Sequence, residues 1–226
     1  MGDRSIVILD CLEGDLADYC YGRIAGYAEP DFRVVRLEAM RGRYPESPVD
    51  WASRNAAAAM IISGSCHSPL DTDPWIAGCN SFIRGFVGTG LPVLGICFGH
   101  EALAAALGGV LDRRESLAVA FRDVRISSPD PIFKGFDGTT RQPVAHEVFV
   151  SAPPPGFEVI GASDDCPVQV MRHSELPIYG VQFHPEMDRH IKEFDPDWAP
   201  LTDEEFEETE GPVLMRNFIS IVRAFG

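Results

Sequence analysis

The sequence is short of basic residues and contains no long hydrophobic run. It has 19 lysine and arginine residues against 34 aspartate and glutamate residues, which gives a net charge of −15. This excess of negative charge argues against nucleic acid or an anionic membrane surface as a partner. The apolar run nearest the N-terminus, residues 6–9, is too short for a signal peptide or a membrane span. The sequence therefore predicts a cytoplasmic protein that binds neither.

Cysteine is present but shows no pairing pattern. The six cysteines stand at positions 11, 20, 66, 79, 97 and 166, and they form no C-x-x-C pair and no metal-ligand spacing. A phosphate-binding G-x-x-x-x-G-K-[ST] sequence is also missing. We therefore expect no metal and no cofactor, and unpaired thiols fit a reducing cytoplasm.

The chain contains short apolar runs that alternate with segments whose apolar residues have helical spacing. Its 226 residues, 45% of them apolar, are enough for one α/β domain spanning residues 1–226. The predicted strands are 5–9, 32–37 and 56–62, the predicted helices are 15–26 and 75–88, and residues 41–48 are rich in turn formers. This rhythm predicts a three-layer α/β fold, in which helices cover both faces of a mainly parallel sheet. Four later runs predict a β-rich excursion; they are 119–126, 144–150, 157–162 and 167–172.

The heptapeptide Gly-Ile-Cys-Phe-Gly-His-Glu at residues 95–101 carries the strongest chemical signal. It follows a short apolar run and precedes an Ala- and Leu-rich stretch, which predicts a strand, a sharp turn and a helix. Gly95 and Gly99 allow a tight reversal around Cys97. A thiol at such a turn is expected to face solvent at the positive end of a helix, where the thiolate is favoured. The alternative is a buried structural cysteine.

A second peptide, Gly-Val-Gln-Phe-His-Pro-Glu at residues 180–186, ends an apolar strand. Side chains two apart on an extended segment share a face, so Glu186 can reach the ring of His184. Thiol acyl transfer needs a cysteine, a histidine that acts as its base, and a carboxylate that fixes the tautomer of the histidine. Such a peptide alone is more often an ordinary strand end, but together with Cys97 it predicts a catalytic Cys97–His184–Glu186 triad.

These two peptides, with Ile-Ile-Ser-Gly-Ser at residues 61–65, resemble the signatures of the class I glutamine amidotransferases in sequence, order and spacing. The resemblance implies a flavodoxin-like glutaminase fold and a Cys97 thioester formed with the side chain of glutamine, which releases ammonia. It also implies that the turn at Gly64 contributes a backbone N–H to an oxyanion hole. The other N–H of that hole is expected from Phe98, which directly follows the nucleophile.

Two further residues are expected to bind substrate. Relatives usually have glutamine at the place of Glu101, four residues after the nucleophile, where the amide helps to hold the substrate. A carboxylate has no N–H to donate, and the helix dipole is expected to keep Glu101 ionised. Either Glu101 changes the substrate preference, or it turns outward as a helix-start acid. His146 lies where relatives carry a histidine that lines the site, although a structural strand histidine fits nearly as well, and His67 is interpreted as a loop residue.

The segment after Glu186 is strongly acidic. Residues 188–210 contain ten acids and two bases, which predicts a surface excursion near the mouth of the site. Thr202 is expected to cap a helix there, with Glu205 closing a capping box. The excursion is either a solvated helix without a role or a docking or gating element. Under the second interpretation, deleting residues 196–210 changes substrate preference or the response to a partner while the fold survives.

The predicted function is that of an amidotransferase-type glutaminase acting on glutamine or a γ-glutamyl small molecule. The resemblance implies either a glutaminase that serves a separate synthetase or ammonia-acceptor subunit, or a stand-alone hydrolase, because the 226 residues contain no synthetase. A γ-glutamyl peptidase or hydrolase on the same scaffold is the nearest alternative, since the triad serves both acyl transfers. A non-catalytic regulatory subunit is the third possibility.

Overall fold

The computed structural model describes residues 4–225, which form one nine-stranded sheet with flanking helices. The strands are β1 (Ser5–Asp10), β2 (Arg33–Glu38), β3 (Ala57–Ile62), β4 (Val93–Ile96), β5 (Val110–Ile126), β6 (Thr139–Ala152), β7 (Phe157–Ala162), β8 (Val170–His173) and β9 (Ile178–Val181). The helices are α1 (Gly14–Ala28), α2 (Pro48–Arg54), α3 (Pro74–Val87), α4 (Phe98–Leu107), α5 (Asp203–Glu208) and α6 (Gly211–Ala224). None of the helices in this range is long and apolar enough to cross a membrane.

The strand order across the sheet is β2-β1-β3-β4-β9-β8-β7-β5-β6, and the first five of these strands are parallel. Strand β1 is buried along its whole length, as expected for a parallel strand with helices on both sides. Its Ile6 and Ile8 pack in the layer that contains α1 and α6. Its Val7 and Leu9 pack in the layer that contains α3 and α4. The predicted three-layer, mainly parallel α/β fold is confirmed.

The remaining strands extend the sheet in antiparallel fashion, which confirms the predicted β-rich excursion. Strand β5 begins earlier than the sequence pattern indicates, because its polar first half pairs with β6 in a long hairpin, with Val110 opposite Ala152. The turn-rich residues 41–48 lead into α2, which the pattern does not indicate. There the Ser47 hydroxyl accepts a hydrogen bond from the Asp50 N–H at 3.2 Å.

Three neighbouring parallel strands position the residues of interest. Gly64 lies just beyond β3, Cys97 directly follows β4, and His184 lies just beyond β9. Because the carboxyl ends of parallel strands meet at one edge of a sheet, residues that are far apart in sequence converge there.

Candidate active site

Cys97 occupies a strained turn between β4 and α4. Its φ of +48° and ψ of −106° lie in a region that side-chain-bearing residues rarely adopt. A Cβ on Gly95 would lie 2.4 Å from the carbonyl oxygen of Gly99, and a Cβ on Gly99 would lie 2.4 Å from that of Ile62. The predicted strand, sharp turn and helix are confirmed, and both glycines are required by close backbone approach.

His184 and Glu186 reach this turn from the end of β9. Nδ1 of His184 and Oε1 of Glu186 are 2.9 Å apart, and both side chains are buried. Because Nδ1 contacts Glu186, Nε2 is the ring nitrogen available to the Cys97 thiol, and each of these two groups shifts the pKa of the other. Trp198 packs edge-on against the His184 ring, with 5.3 Å between the ring centroids. The structure therefore brings the three residues of the predicted triad together.

Burial dominates the ionisation of Cys97. The residue is 5% exposed, and this desolvation raises the pKa of its thiol although His184 acts to lower it. The thiol donates to the carbonyl oxygen of Ala145 at 3.6 Å. Burial acts to lower the pKa of His184, but Cys97 and Glu186 outweigh it and raise that pKa well above its ordinary value. The expectation that the thiol faces solvent is wrong, because Cys97 is buried.

Two backbone N–H groups lie beside the thiol. Phe98 is the first residue of α4, where a helix leaves its N–H groups without intrahelical partners. Among the hydrogen bonds of residues 4–225, the N–H groups of Phe98 and Gly64 both remain free. A Cβ on Gly64 would lie 3.0 Å from Cε1 of His184, so a side chain there would crowd the histidine. Free N–H groups at these two positions are the donors that the predicted oxyanion hole needs.

Glu101 points into the site. It is 3% exposed, and its Oε1 accepts a hydrogen bond at 2.8 Å from Nε2 of Gln182, a nitrogen 4.0 Å from the Cys97 sulfur. Burial raises the pKa of Glu101 to about 8. The outward-facing alternative is therefore wrong. A pKa of about 8 also speaks against an ionised side chain at neutral pH, because desolvation outweighs the hydrogen bond from Gln182, which lowers that pKa. The sequence analysis does not identify Gln182 as a site residue. A signal was present, because Gln182 and His184 are two residues apart on an extended segment and therefore share a face.

His146 lies on β6 next to Ala145 and lines the same cavity as Cys97. Its Nδ1 lies 2.8 Å from the carbonyl oxygen of Val148, which accepts the ring proton, while Nε2 is buried and has no partner among the described residues. Burial lowers the pKa of His146 to about 4, so the ring is neutral and Nε2 is a hydrogen-bond acceptor. His67 lies at the rim in a loop, as predicted, and stacks edge-on against Trp75.

The acidic segment 188–210 covers part of the cavity, which has a volume of about 370 Å³. Its side chains Ile191, Asp195, Asp197 and Trp198 line the cavity, which confirms the predicted excursion at the mouth. The Thr202–Glu205 capping box is also confirmed.

The excursion is solvated only in part: α5 is mostly exposed, and Phe206 is its buried residue. It has an apolar underside, where Trp198, Leu201 and Phe206 are buried against Cys20 of α1 and Phe121 of β5. The contact between Trp198 and His184 escapes sequence reasoning, and the only signal for it is a bulky aromatic residue within a run of acids.

Comparison with known proteins identifies the family that the sequence resembles. The family model described as glutamine amidotransferase class-I matches residues 34–196. A glutamine-hydrolyzing GMP synthase subunit from Pyrococcus abyssi is 39% identical over 109 residues, which are 48% of this chain and 58% of that protein. The corresponding subunit from Methanocaldococcus jannaschii is 41% identical over 97 residues, 43% of this chain and 52% of that protein. The matched region thus spans about half the length of these relatives.

Solved structures agree on the fold. A glutamine amidotransferase from Thermotoga maritima superposes with a TM-score of 0.76 at 18% identity, covering 97% of each chain. A glutamine amidotransferase from Methylobacillus flagellatus superposes with a TM-score of 0.70 at 20% identity, covering 100% of this chain and 94% of that one. With a family model that matches most of its length, the chain belongs to the class I glutamine amidotransferases.

Proposed function

We propose that this chain is a cysteine-nucleophile amidohydrolase that releases ammonia from the side chain of glutamine. The observation that carries the proposal is the contact of a strained, buried Cys97 with the His184–Glu186 pair, beside two free backbone N–H groups. Nucleophile, base and orienting carboxylate are in place together, which is what thiol acyl transfer needs.

The reaction runs in two halves. In the first, the Cys97 thiol gives its proton to His184 while the sulfur attacks the carboxamide carbon, and the N–H groups of Gly64 and Phe98 stabilise the oxyanion. The carbon–nitrogen bond then breaks as His184 protonates the leaving nitrogen, so that ammonia departs and a thioester remains. In the second half, water gives a proton to His184 and attacks the thioester. The carbon–sulfur bond breaks, the thiol recovers its proton and glutamate is released.

Partner and location form the second part of the proposal. The relatives are named as subunits of a glutamine-hydrolyzing synthase. This supports transfer of the ammonia to a separate synthetase or ammonia-acceptor subunit. All six cysteines are free thiols, which supports a reducing compartment such as the cytoplasm.

A γ-glutamyl peptidase or hydrolase is the second candidate, and Glu101 favours it. A carboxyl group stands where relatives usually carry the amide that helps to hold glutamine, and it faces the reacting sulfur through Gln182. Both reactions are transfers of a γ-glutamyl group, so the same triad serves either one. A non-catalytic regulatory role gains no support, since the triad side chains are intact and in contact.

Thioester trapping tests the proposal. The isolated chain is mixed with glutamine, or with a γ-glutamyl amide, and quenched in acid for mass spectrometry. We expect a γ-glutamyl adduct on Cys97 and steady release of glutamate. In Cys97→Ala both should disappear, whereas Cys66→Ser, which removes the exposed thiol in the same cavity, should keep both. An adduct on another cysteine, or glutamate release by Cys97→Ala, would refute the assignment.

A further inference from the structure

The triad alone does not fix the plane of the His184 ring. The contact between Nδ1 and Glu186, at 2.9 Å, holds one atom of the ring. The χ2 torsion of histidine has broad preferences, so the side chain itself does not set the plane either. The proposed reaction needs Nε2 to serve both Cys97 and the leaving nitrogen, and a ring that turned about the Nδ1 contact would lose this geometry.

The surroundings of His184 supply the missing constraint. The backbone of Gly64 lies close to Cε1, since an added Cβ there would be 3.0 Å from that atom. The Trp198 indole packs edge-on against the imidazole, with 5.3 Å between the ring centroids and 84° between the ring planes. These values lie in the range that aromatic pairs prefer. A turn of the imidazole would therefore break a favoured contact.

Trp198 is itself held in place, as a constraint must be. It is 2% exposed, and its Nε1 donates to the Asp195 carboxylate at 3.1 Å. The indole lies 6.2 Å from the Phe206 ring of α5, and Phe206 packs edge-on against Phe121 of β5 at 5.1 Å. The indole is thus tied to its own turn by a hydrogen bond, and through Phe206 to the sheet.

We propose that Trp198 is a positioning residue of the reaction, which holds the His184 ring with Nε2 on the Cys97 side. The inference rests on the proposed thioester chemistry and adds a residue outside the triad to it. Trp198 neither gives nor takes a proton, and it acts only through His184. Because His184 transfers a proton in both halves of the reaction, loss of its orientation slows thioester formation and thioester hydrolysis alike.

Two substitutions of Trp198 test the need for a flat ring. Trp198→Leu keeps an apolar side chain but no ring, and it should lower kcat for glutamine about tenfold to a hundredfold. KM should change less than about threefold, since the substrate is still bound. Trp198→Phe restores a flat ring without the Asp195 hydrogen bond and should recover most of kcat. A raised KM with unchanged kcat would make Trp198 a wall for the substrate and overturn the inference.

Trp51→Leu is the matched control for the loss of a tryptophan. Trp51 lies on α2, packs edge-on against Phe82 at 6.3 Å, and is not among the described residues that line the cavity. It should lower the free energy of unfolding but leave kcat per folded chain unchanged. Equal losses of kcat in Trp51→Leu and Trp198→Leu would indicate a general loosening of the fold, and would overturn the inference.

Alkylation of Cys97 reports on the ring without any substrate. Iodoacetamide reacts with the thiolate, so the pH dependence of Cys97 alkylation, followed by mass spectrometry, gives the midpoint of its ionisation. His184 acts to lower the pKa of Cys97, whereas Glu101 and Glu186 act to raise it. In Trp198→Leu the ring is free to leave the thiol, so the midpoint should rise. Trp198→Phe should bring it back toward the value of the parent.

The His184→Ala background shows whether the effect passes through the ring. There, Trp198→Leu should leave the midpoint of Cys97 alkylation unchanged, because no ring remains to be positioned. A rise of the same size with and without His184 would mean that the indole acts on the thiol directly, through desolvation. That result would overturn the inference.

The outcomes separate this inference from the proposed function. If parent and Trp198→Leu hydrolyse glutamine equally fast and share one alkylation midpoint, the positioning role is overturned and the thioester chemistry stands. If the parent neither hydrolyses glutamine nor forms an adduct on Cys97, the proposed function fails. The alkylation midpoints then still decide whether Trp198 holds His184 beside Cys97.

Discussion

At the scale of single residues, Glu101 is the group through which we expect pH to affect substrate binding. Its carboxyl group is buried beside Gln182 and Cys97, and burial raises its pKa to about 8. A neutral carboxyl group has one O–H to donate, as an amide has its N–H groups, whereas a carboxylate only accepts. At neutral pH we therefore expect this side chain to bind substrate as a neutral hydrogen-bonding group, and to lose that role when it ionises.

The first prediction concerns KM and pH. In the parent, KM for glutamine should rise as pH passes through about 8, because ionised Glu101 cannot donate and repels the α-carboxylate of the substrate. Glu101→Gln should lower KM for glutamine, most strongly above pH 8, and change kcat much less, as expected for ground-state binding. Steady-state glutamate release from pH 6 to 10 gives both constants. A parallel rise of KM in parent and variant would contradict this role.

The protonation of Glu101 also affects the free energy of unfolding, which can be measured without a catalytic assay. The pKa of Glu101 is about 8 in the folded chain, and its ordinary value is 4.5. Between these two pH values, the folded state therefore keeps a proton that the unfolded state has lost. Stability from this group is therefore fully present below about pH 4.5 and lost as pH rises to about 8. Glu101→Gln should gain stability over the parent across that window, on the order of a few kcal/mol at its upper end. Urea unfolding at several pH values measures the difference.

The triad gives the second prediction. Cys97→Ala and His184→Ala should each lower kcat by about 10⁶-fold, and the double variant should be no worse, because the members of such a unit are not additive. Cys97→Ser should be nearly inactive, since a hydroxyl stays protonated. Glu186→Gln should cost less, about 10⁴-fold, because Glu186 orients His184 without reacting. A Glu186→Gln variant as inactive as His184→Ala would show that the carboxylate does more than orient the ring.

At the scale of elements, the turn between β4 and α4 depends on the absence of side chains at its ends. Gly99→Ala places a Cβ 2.4 Å from the Ile62 carbonyl oxygen, and backbone cannot move aside as a flexible side chain can. We expect the free energy of unfolding to fall by about 1–3 kcal/mol or more, with turnover lost because Cys97 shifts. Gly22→Ala is the matched control, since nothing lies within 4 Å of its Cβ in α1; it should stabilise the chain by about 0.5–1 kcal/mol. Equal stability of the two variants would contradict the close-approach argument.

The excursion after β9 behaves as part of the core rather than as an appendage. Deleting residues 196–210 removes Trp198, Leu201 and Phe206 and uncovers Cys20 and Phe121, so the expectation that the fold survives unchanged no longer holds. We expect a drop of several kcal/mol in the free energy of unfolding, since burying each large side chain contributes about 1.5–3 kcal/mol, and a loss of His184 support. Denaturant unfolding of the deletion variant, compared with Glu204→Gln, checks this. An unchanged free energy of unfolding would show that the deleted side chains contribute little to the core.

At the scale of the whole molecule, the sequence predicts elements and their order better than it predicts environments. The alternation of strands and helices places Gly64, Cys97 and His184 after parallel strands, and their convergence follows from sheet geometry. The ionisation of Glu101 and Cys97 does not follow, because it depends on how much water the folded chain removes from each group. The packing of Trp198 against His184 is likewise a contact through space that no spacing rule encodes.

The last prediction follows from how complete the site is within one chain. The triad is in contact, and the N–H groups of Gly64 and Phe98 are free in residues 4–225 of the single chain. The groups that we propose to hold and cleave the amide already face one cavity. We therefore expect the purified chain alone to hydrolyse its substrate, with kcat changed by less than about tenfold when cell extract is added. Glutamate release is measured with and without extract, and with Cys97→Ala as the blank. Turnover that appears only with extract would mean that a partner completes the site, and that the chain does not release ammonia without that partner.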